Sequence, residues 1–577
     1  MTAHPTLIIH NARIHTGVAR RPEVQALAVN GRRIAAVGTD GQIRSLAGPA
    51  TLSIDAGRRR VIPGLIDSHQ HLIRQGHHYN LDLRWEGVPS LADAMRLLAA
   101  QVERTPPPQW VRVDGGFSEH QFAERRLPTL DELNQVAPDT PVLIQHLGEH
   151  VLLNAAALRA CGYTRDAPDL PGAHVARDDN GMPSGLLVAS PNVSLLDQAL
   201  AHAPQLPYEY QINATRHFMR ELNRLGITSV IDAGSSARHY PEDYRVIEEL
   251  QLHRQLTVRI AYHLCAHTPH GEQADFSALV AALSPNQGDD FYRLNGAGEL
   301  LAYSAVDFSH FRQPRPEPPP VMEGELEAVI RVLASRRWPW RMHATYDETI
   351  GRALDVFERV DRELPLRERP WFLDHAETVT ERNLERIARL GGGIAVQPRM
   401  AYQGEYFVER YGAQAAAHAP PLKQILAMGI PLGAGSDATR MASYDPWSTL
   451  HWLVTGKTVG GLPLRAADQR LDRATALALH TRGNSWFSGE QDTKGQLEVG
   501  QLADLAVLSQ DYFAVADDAI RGIVSELTVV DGRIVYADGA FRAHDPAPPP
   551  VLPEWSPVNH GSRCWRPPRL DAMAAPA

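Results

Sequence analysis

Cysteine is scarce: the 577 residues hold three, Cys161, Cys265 and Cys564, far apart and without CxxC spacing. That argues against both a disulfide framework and a thiolate zinc site, and it fits a reducing compartment. No stretch approaches the roughly 18 apolar residues of a membrane span, and the start, MTAHPTLIIHNARIHTG, has no basic segment followed by a long apolar one. Positive charge is not in excess either. The net charge is -10, and clusters such as Arg58-Arg59-Arg60 read as solvated faces, so the concentrated basic surface that phosphate backbones require is missing. The expectation is a cytoplasmic protein that acts on a small molecule, with no nucleic-acid or membrane partner. No heptad seam or internal repeat is visible, which leaves homo-oligomerisation open.

What is present is a globular composition, 44% apolar and 21% charged, on a chain too long for one ordinary domain. Short strand-like runs with turn punctuation open it (Thr6 to Ile14, Ala26 to Val29, Arg33 to Val37, Thr51 to Asp55), and the same texture returns at Ala503 to Leu508, Ile523 to Val530 and Arg533 to Ala537. The two ends read as halves of one sheet module. Between them, apolar β-branched runs alternate with amphipathic stretches, the pattern of parallel βα units. Eight strands are expected: Arg60 to Ile66, Thr228 to Asp232, Thr257 to His263, Tyr292 to Gly296, Trp338 to His343, Trp371 to His375, Gly393 to Gln397 and Pro431 to Ser436.

The predicted fold is α/β: a TIM (β/α)8 barrel with a composite β-sandwich domain built from both chain ends and an inserted α+β subdomain. The expected boundaries are 1–59 plus 487–545 for the sandwich, 60–79 plus 208–486 for the barrel, 80–207 for the insertion and 546–577 for a loop-like tail.

The first barrel strand ends in Asp67-Ser68-His69-Gln70-His71, and strand alternation sends residues two apart to the same side. Two imidazoles at the carboxyl end of a barrel strand form half of a metal site. Alone, this pair is weak evidence among 26 histidines. It gains weight because His343 ends the fifth strand, His375 ends the sixth and Asp437 follows the eighth, all facing one barrel mouth.

This set resembles the amidohydrolase superfamily, as do the PGLIDSHQH run at Pro63 to His71 and the closing GQLEVGQLADLAVL at Gly495 to Leu508. Within it, the segment Arg126 to Leu158 is similar to the YtcJ-like branch, which includes N-substituted formamide deformylases. The resemblance implies metal ligands at His69, His71, His343, His375 and Asp437, a divalent cofactor (zinc first among them) as one or two ions, and hydrolysis of a non-peptide C-N bond by activated water. Asp437 would also carry the proton. Many relatives have a carboxylated lysine at the end of strand four, but Tyr292 to Leu301 contains no lysine. Glu299 is the nearest carboxylate and the expected bridge; the plainer reading makes it a helix-start glutamate beside a one-metal site. In that one-metal version His375 would donate a hydrogen bond to the developing oxyanion. His146, His150, Asn154 and Arg399 are weaker candidates for the substrate pocket. A deaminase of amino-heterocycles and a non-catalytic binding protein are the competing functions.

Overall fold

Gly64 marks the point where the chain passes from one sheet into another. Before it, Arg60–Pro63 runs parallel to Arg13–His15 and antiparallel to Leu505–Leu508. After it, Leu65–Gln70 pairs in parallel with Ile227–Asp232. A Cβ on Gly64 would lie 2.3 Å from Thr228 Oγ1, so any side chain there would push the second barrel strand away. The expectation of one strand from Arg60 to Ile66 is therefore corrected. The apolar run hides the switch, because these residues are buried throughout and show no alternation.

This computed structural model describes residues 4–169, 172–189, 194–307 and 311–563. Cys564, residues 564–577 of the expected tail, and residues 170–171 and 190–193 of the expected insertion lie outside them.

Eight parallel strands follow one another around the barrel: Leu65–Gln70, Ile227–Asp232, Arg259–Leu264, Tyr292–Ala297, Trp340–Ala344, Trp371–His375, Gly393–Val396 and Leu432–Ala434. The eighth returns to the first where the N–H groups of Ser436 and Asp437 donate to the His69 carbonyl at 3.2 and 2.8 Å. Fourth and fifth strands are joined by a single residue pair, Ala297 with Trp340. Just beyond this thin seam, His343 N–H donates to the Glu299 carbonyl at 3.0 Å and sets Glu299 beside the fifth strand.

Amphipathic helices cover the barrel. Met322–Ser335 buries Leu326, Val329, Ile330 and Leu333, and Glu381–Leu390 buries Leu384, Ile387 and Leu390, the three-and-four spacing of a helix face. Each fully buried Leu or Ile contributes about 1.5–3 kcal/mol. Glu381–Leu390 stops at Gly391, whose left-handed φ of +77° suits glycine.

Strands from both chain ends share the second sandwich sheet, and Ile14, Leu27, Val61, Leu505 and Val529 lie in its common core. The inserted segment has its own six-stranded sheet, which includes Val111–Val113, Val142–His146, His150–Leu153 and Pro183–Ala189. Residues 546–563 are not a free linker. Asn213 Nδ2 donates to Pro550 O, Asn80 Nδ2 to Leu552 O, and Ser556 Oγ to Asn80 O, which straps this segment across the base of the insertion.

Candidate metal centre

The site begins with Asp67, two residues before His69. Its carboxylate accepts from His69 N–H at 3.0 Å, Ser436 N–H at 2.9 Å and Ser436 Oγ–H at 2.6 Å, tying the first strand to the eighth. Gly435 permits this, since a Cβ there would lie 2.4 Å from His69 N and 2.7 Å from Asp67 Oδ1. His69 and His71 thereby share one mouth with Asp437. Asp437 Oδ1 stands 3.5 Å from Nε2 of each histidine.

Glu299 occupies the middle of the cluster. Its carboxylate lies 3.4 Å from His69 Nε2, 3.6 Å from His71 Nε2, 3.7 Å from His343 Nδ1 and 4.0 Å from His375 Nε2. These separations exceed the roughly 2.7–3.2 Å of a hydrogen bond. The distances to His69 and His71 match the roughly 3.3–3.6 Å between neighbouring donors on one tetrahedral ion at about 2.0–2.2 Å. His69 Nε2 and Glu299 Oε2 are buried without a hydrogen-bond partner among the described residues, an arrangement costing about 1–3 kcal/mol per group unless something satisfies it. Two overlapping donor sets, His69 with His71 and Asp437 and His69 with Glu299 and His375, are each compact enough to hold a cation. The residues present fit one or two divalent ions.

Further residues aim the histidines. His71 Nδ1 is 2.7 Å from the Gly234 carbonyl, and His69 Nδ1 is 3.1 Å from Asp374 Oδ1, whose carboxylate Arg341 Nε holds at 2.7 Å. His343 Nε2 faces Asp307 Oδ1 at 3.2 Å, and Asp307 is itself fixed by the N–H groups of Thr345 and Tyr346. Burial lowers the His343 pKa, but Asp307 and Glu299 outweigh it and raise it to about 9. Burial favours a charge-free Glu299, yet His69 and the other imidazoles hold its carboxyl well below the usual range. Burial, with His343 and His69 nearby, keeps His375 well below an ordinary histidine and so neutral. His375 and Asp437 both have left-handed φ, +75° and +54°. Non-glycine residues held this way cost of order 1–3 kcal/mol and gather at functional sites.

A cavity of about 120 Å³ opens above the cluster, lined by His71, Glu299, His343, His375 and Asp437 together with Arg399. Of the expected pocket residues, only Arg399 reaches it. Asn154 is corrected to a structural role: its side chain caps helix Ala155–Cys161 by accepting from Ala157 N–H, also accepts from Val142 N–H, and donates to the Ala137 and Thr140 carbonyls. His146 Nε2 meets Glu119 Oε2 at 2.9 Å and its ring stacks on His150; neither histidine lines the cavity. Missed from sequence were Asp307, Arg341, Asp374 and the cavity-lining Glu149. Only Asp374, adjacent to His375, offered a signal.

The protein-family description "Amidohydrolase family" matches residues 53–536. An N-substituted formamide deformylase of Arthrobacter pascens is 26% identical over 561 residues, 93% of this chain and 99% of the relative. The putative amidohydrolase YtcJ of Bacillus subtilis is 25% identical, covering 92% and 99% of the two chains. Among solved structures, an uncharacterized metal-dependent hydrolase from Pyrococcus horikoshii aligns with a TM-score of 0.63 at 21% identity, over 89% of this chain and 99% of that one. With the family match spanning most of its length, the chain belongs to the amidohydrolase family, in its YtcJ-like branch.

Proposed function

We propose that this hydrolase cleaves a non-peptide C-N bond of the amide or N-substituted formamide type, using a divalent cation, zinc for preference, held by His69, His71, Glu299, His343, His375 and Asp437. The observation that carries the reading is the Glu299 carboxylate standing among four imidazoles, Oε2 toward His69, His343 and His375 and Oε1 toward His71. A donor set of imidazoles and carboxylates suits zinc. The formamide deformylase similar over nearly the whole length supports the bond type.

When bound, a divalent cation supplies an acidified water and polarisation of the scissile carbonyl. Asp437 Oδ1 is turned to His69 and His71, which leaves Oδ2 to take the proton of the attacking water and return it to the departing nitrogen. Glu299 keeps its charge in the cluster, and the Asp374 and Asp307 carboxylates hold His69 and His343 in register. Arg399 Nη1 donates to Thr345 Oγ1 at 2.8 Å, which stiffens the cavity wall.

The test is a turnover screen of N-substituted formamides, N-acyl amines, hydantoins and amino-heterocycles on protein of measured metal content. Formamide or amide hydrolysis is expected, and Asp437→Asn should lower it at least about a hundredfold while the metal largely stays. Unchanged turnover in that variant would refute the role of Asp437. Ammonia released from amino-heterocycles, with no acid from formamides, would instead support a deaminase.

A further inference from the structure

Three guanidinium groups line the cavity, those of Arg74, Arg399 and Arg440. Two are matched by carboxylates: Arg399 Nη2 lies 3.4 Å from Glu149 Oε1, and Arg440 Nη2 lies 2.9 Å from Asp197 Oδ1. The other lining carboxylates, Glu299 and Asp437, belong to the proposed metal cluster. Arg74 makes no hydrogen bond and no ion pair among the described residues. It sits on the short helix Leu72–Gly76 that follows His71 directly, so its distance from the cluster is set by one turn of chain. Burial, and Arg440 close by, push its pKa down to about 10 against the opposing pull of Asp197, Asp114 and Asp437. Ala237, Leu300 and Met441 give the cavity apolar wall.

A partly buried guanidinium whose donors bond no side chain is costly, and its flat fork of donors matches a carboxylate held by two bonds. We infer that Arg74 is the anion-reading subsite of this cavity, and that the substrate is an N-formyl or N-acyl amine carrying a carboxylate away from the bond that is cleaved. This rests on the hydrolase reading above. Glu149 and Asp197 already neutralise their arginines, so Arg74 alone supplies the selectivity, and the carboxylate it holds directs the amide carbonyl toward the cluster.

The experiment uses matched ligands, an N-formyl amine with a carboxylate and a twin in which that group is a neutral carboxamide. Calorimetry on zinc-loaded Asp437→Asn protein reads binding without turnover. The carboxylate twin is expected to bind at least about tenfold tighter, as for a charge-assisted pair. Arg74→Gln, introduced into the same protein, should collapse the ratio of the two affinities toward one, and Arg74→Lys should keep part of it. Equal binding of the twins, absence of binding by the carboxylate twin, or a ratio untouched by Arg74→Gln would overturn the inference. If the native holoenzyme cleaves neither twin while the binding preference follows Arg74, the hydrolase reading fails and the subsite stands.

Discussion

Two glutamates, one half-buried at the barrel mouth and one buried in the insertion, are both held below the usual carboxylate range, yet their surroundings differ. Glu119 is saturated: Oε2 meets His146 Nε2 at 2.9 Å, Oε1 meets Arg312 Nη2 at 2.8 Å, and Tyr406 Oη–H donates to Oε1 as well. Glu299 faces four imidazoles at 3.4–4.0 Å, and its Oε2 is left without a hydrogen bond among the described residues. The same residue type thus closes one network and leaves another open. Closed networks fix a structure, whereas an open one of nitrogen and oxygen donors is arranged for something that is not side chain.

The sharpest way to break this comparison is to neutralise each glutamate in turn. Glu299→Gln should remove one cation per chain by elemental analysis and lower kcat/KM at least about a hundredfold. Glu119→Gln should leave the metal content as it was, and a loss of metal there with none in Glu299→Gln would reverse the assignment. Next in size is Asp307→Asn, which removes the carboxylate behind His343 and should weaken metal affinity about 10–100-fold in a chelator competition; an unchanged affinity would deny Asp307 that role.

Asn154→Ala tests the closed side. It leaves the Val142 and Ala157 N–H groups without their acceptor and should cost about 1–3 kcal/mol in denaturant unfolding, with kcat/KM close to wild type. A selective loss of activity would return Asn154 to the pocket.

The smallest effect concerns acid. Burial raises the Glu119 carboxyl, but His146, Tyr406 and Arg312 lower it further, so its folded pKa lies below the unfolded value of about 4.3. Its contribution is therefore complete above about pH 4.3 and lost as the pH falls through the folded value. The Tm difference between wild type and Glu119→Gln should narrow below about pH 4, and a constant difference would mean the charge contributes nothing.

Much of the barrel frame and five strand-end groups were legible because buried parallel strands read as short apolar runs, against which a terminal His or Asp stands out, as in Trp371-Phe372-Leu373-Asp374-His375. Glu299 was reached through the absence of lysine from Tyr292 to Leu301. The residues that aim the histidines were not legible. Asp307 lies in irregular chain after the turn Tyr303–Ala305, and strict alternation would send Asp374 and His375 to opposite faces. The left-handed φ of His375 breaks that alternation, and both side chains meet His69, Asp374 at 3.1 Å and the His375 ring at 5.3 Å between centroids. Asn154 was misassigned although its position before the helical run Ala155–Cys161 is that of an N-cap, and Arg74 passed unnoticed because only the folded cavity shows it among the lining cations without a bonded carboxylate among the described residues.

The glycine crossing at Gly64 also bears on how this protein comes apart. One residue separates a sandwich strand from the barrel strand that ends in His69 and His71. Arg259 on the third barrel strand clasps Asp504 and Asp531 of the sandwich at 2.7 and 2.8 Å, so the join is fastened twice. Fraying of the sandwich would pull directly on the first strand. Hydrogen exchange in Val61 to Ile66 should then report a single opening event, and removing the sandwich strands should loosen the strand that carries His69 and His71.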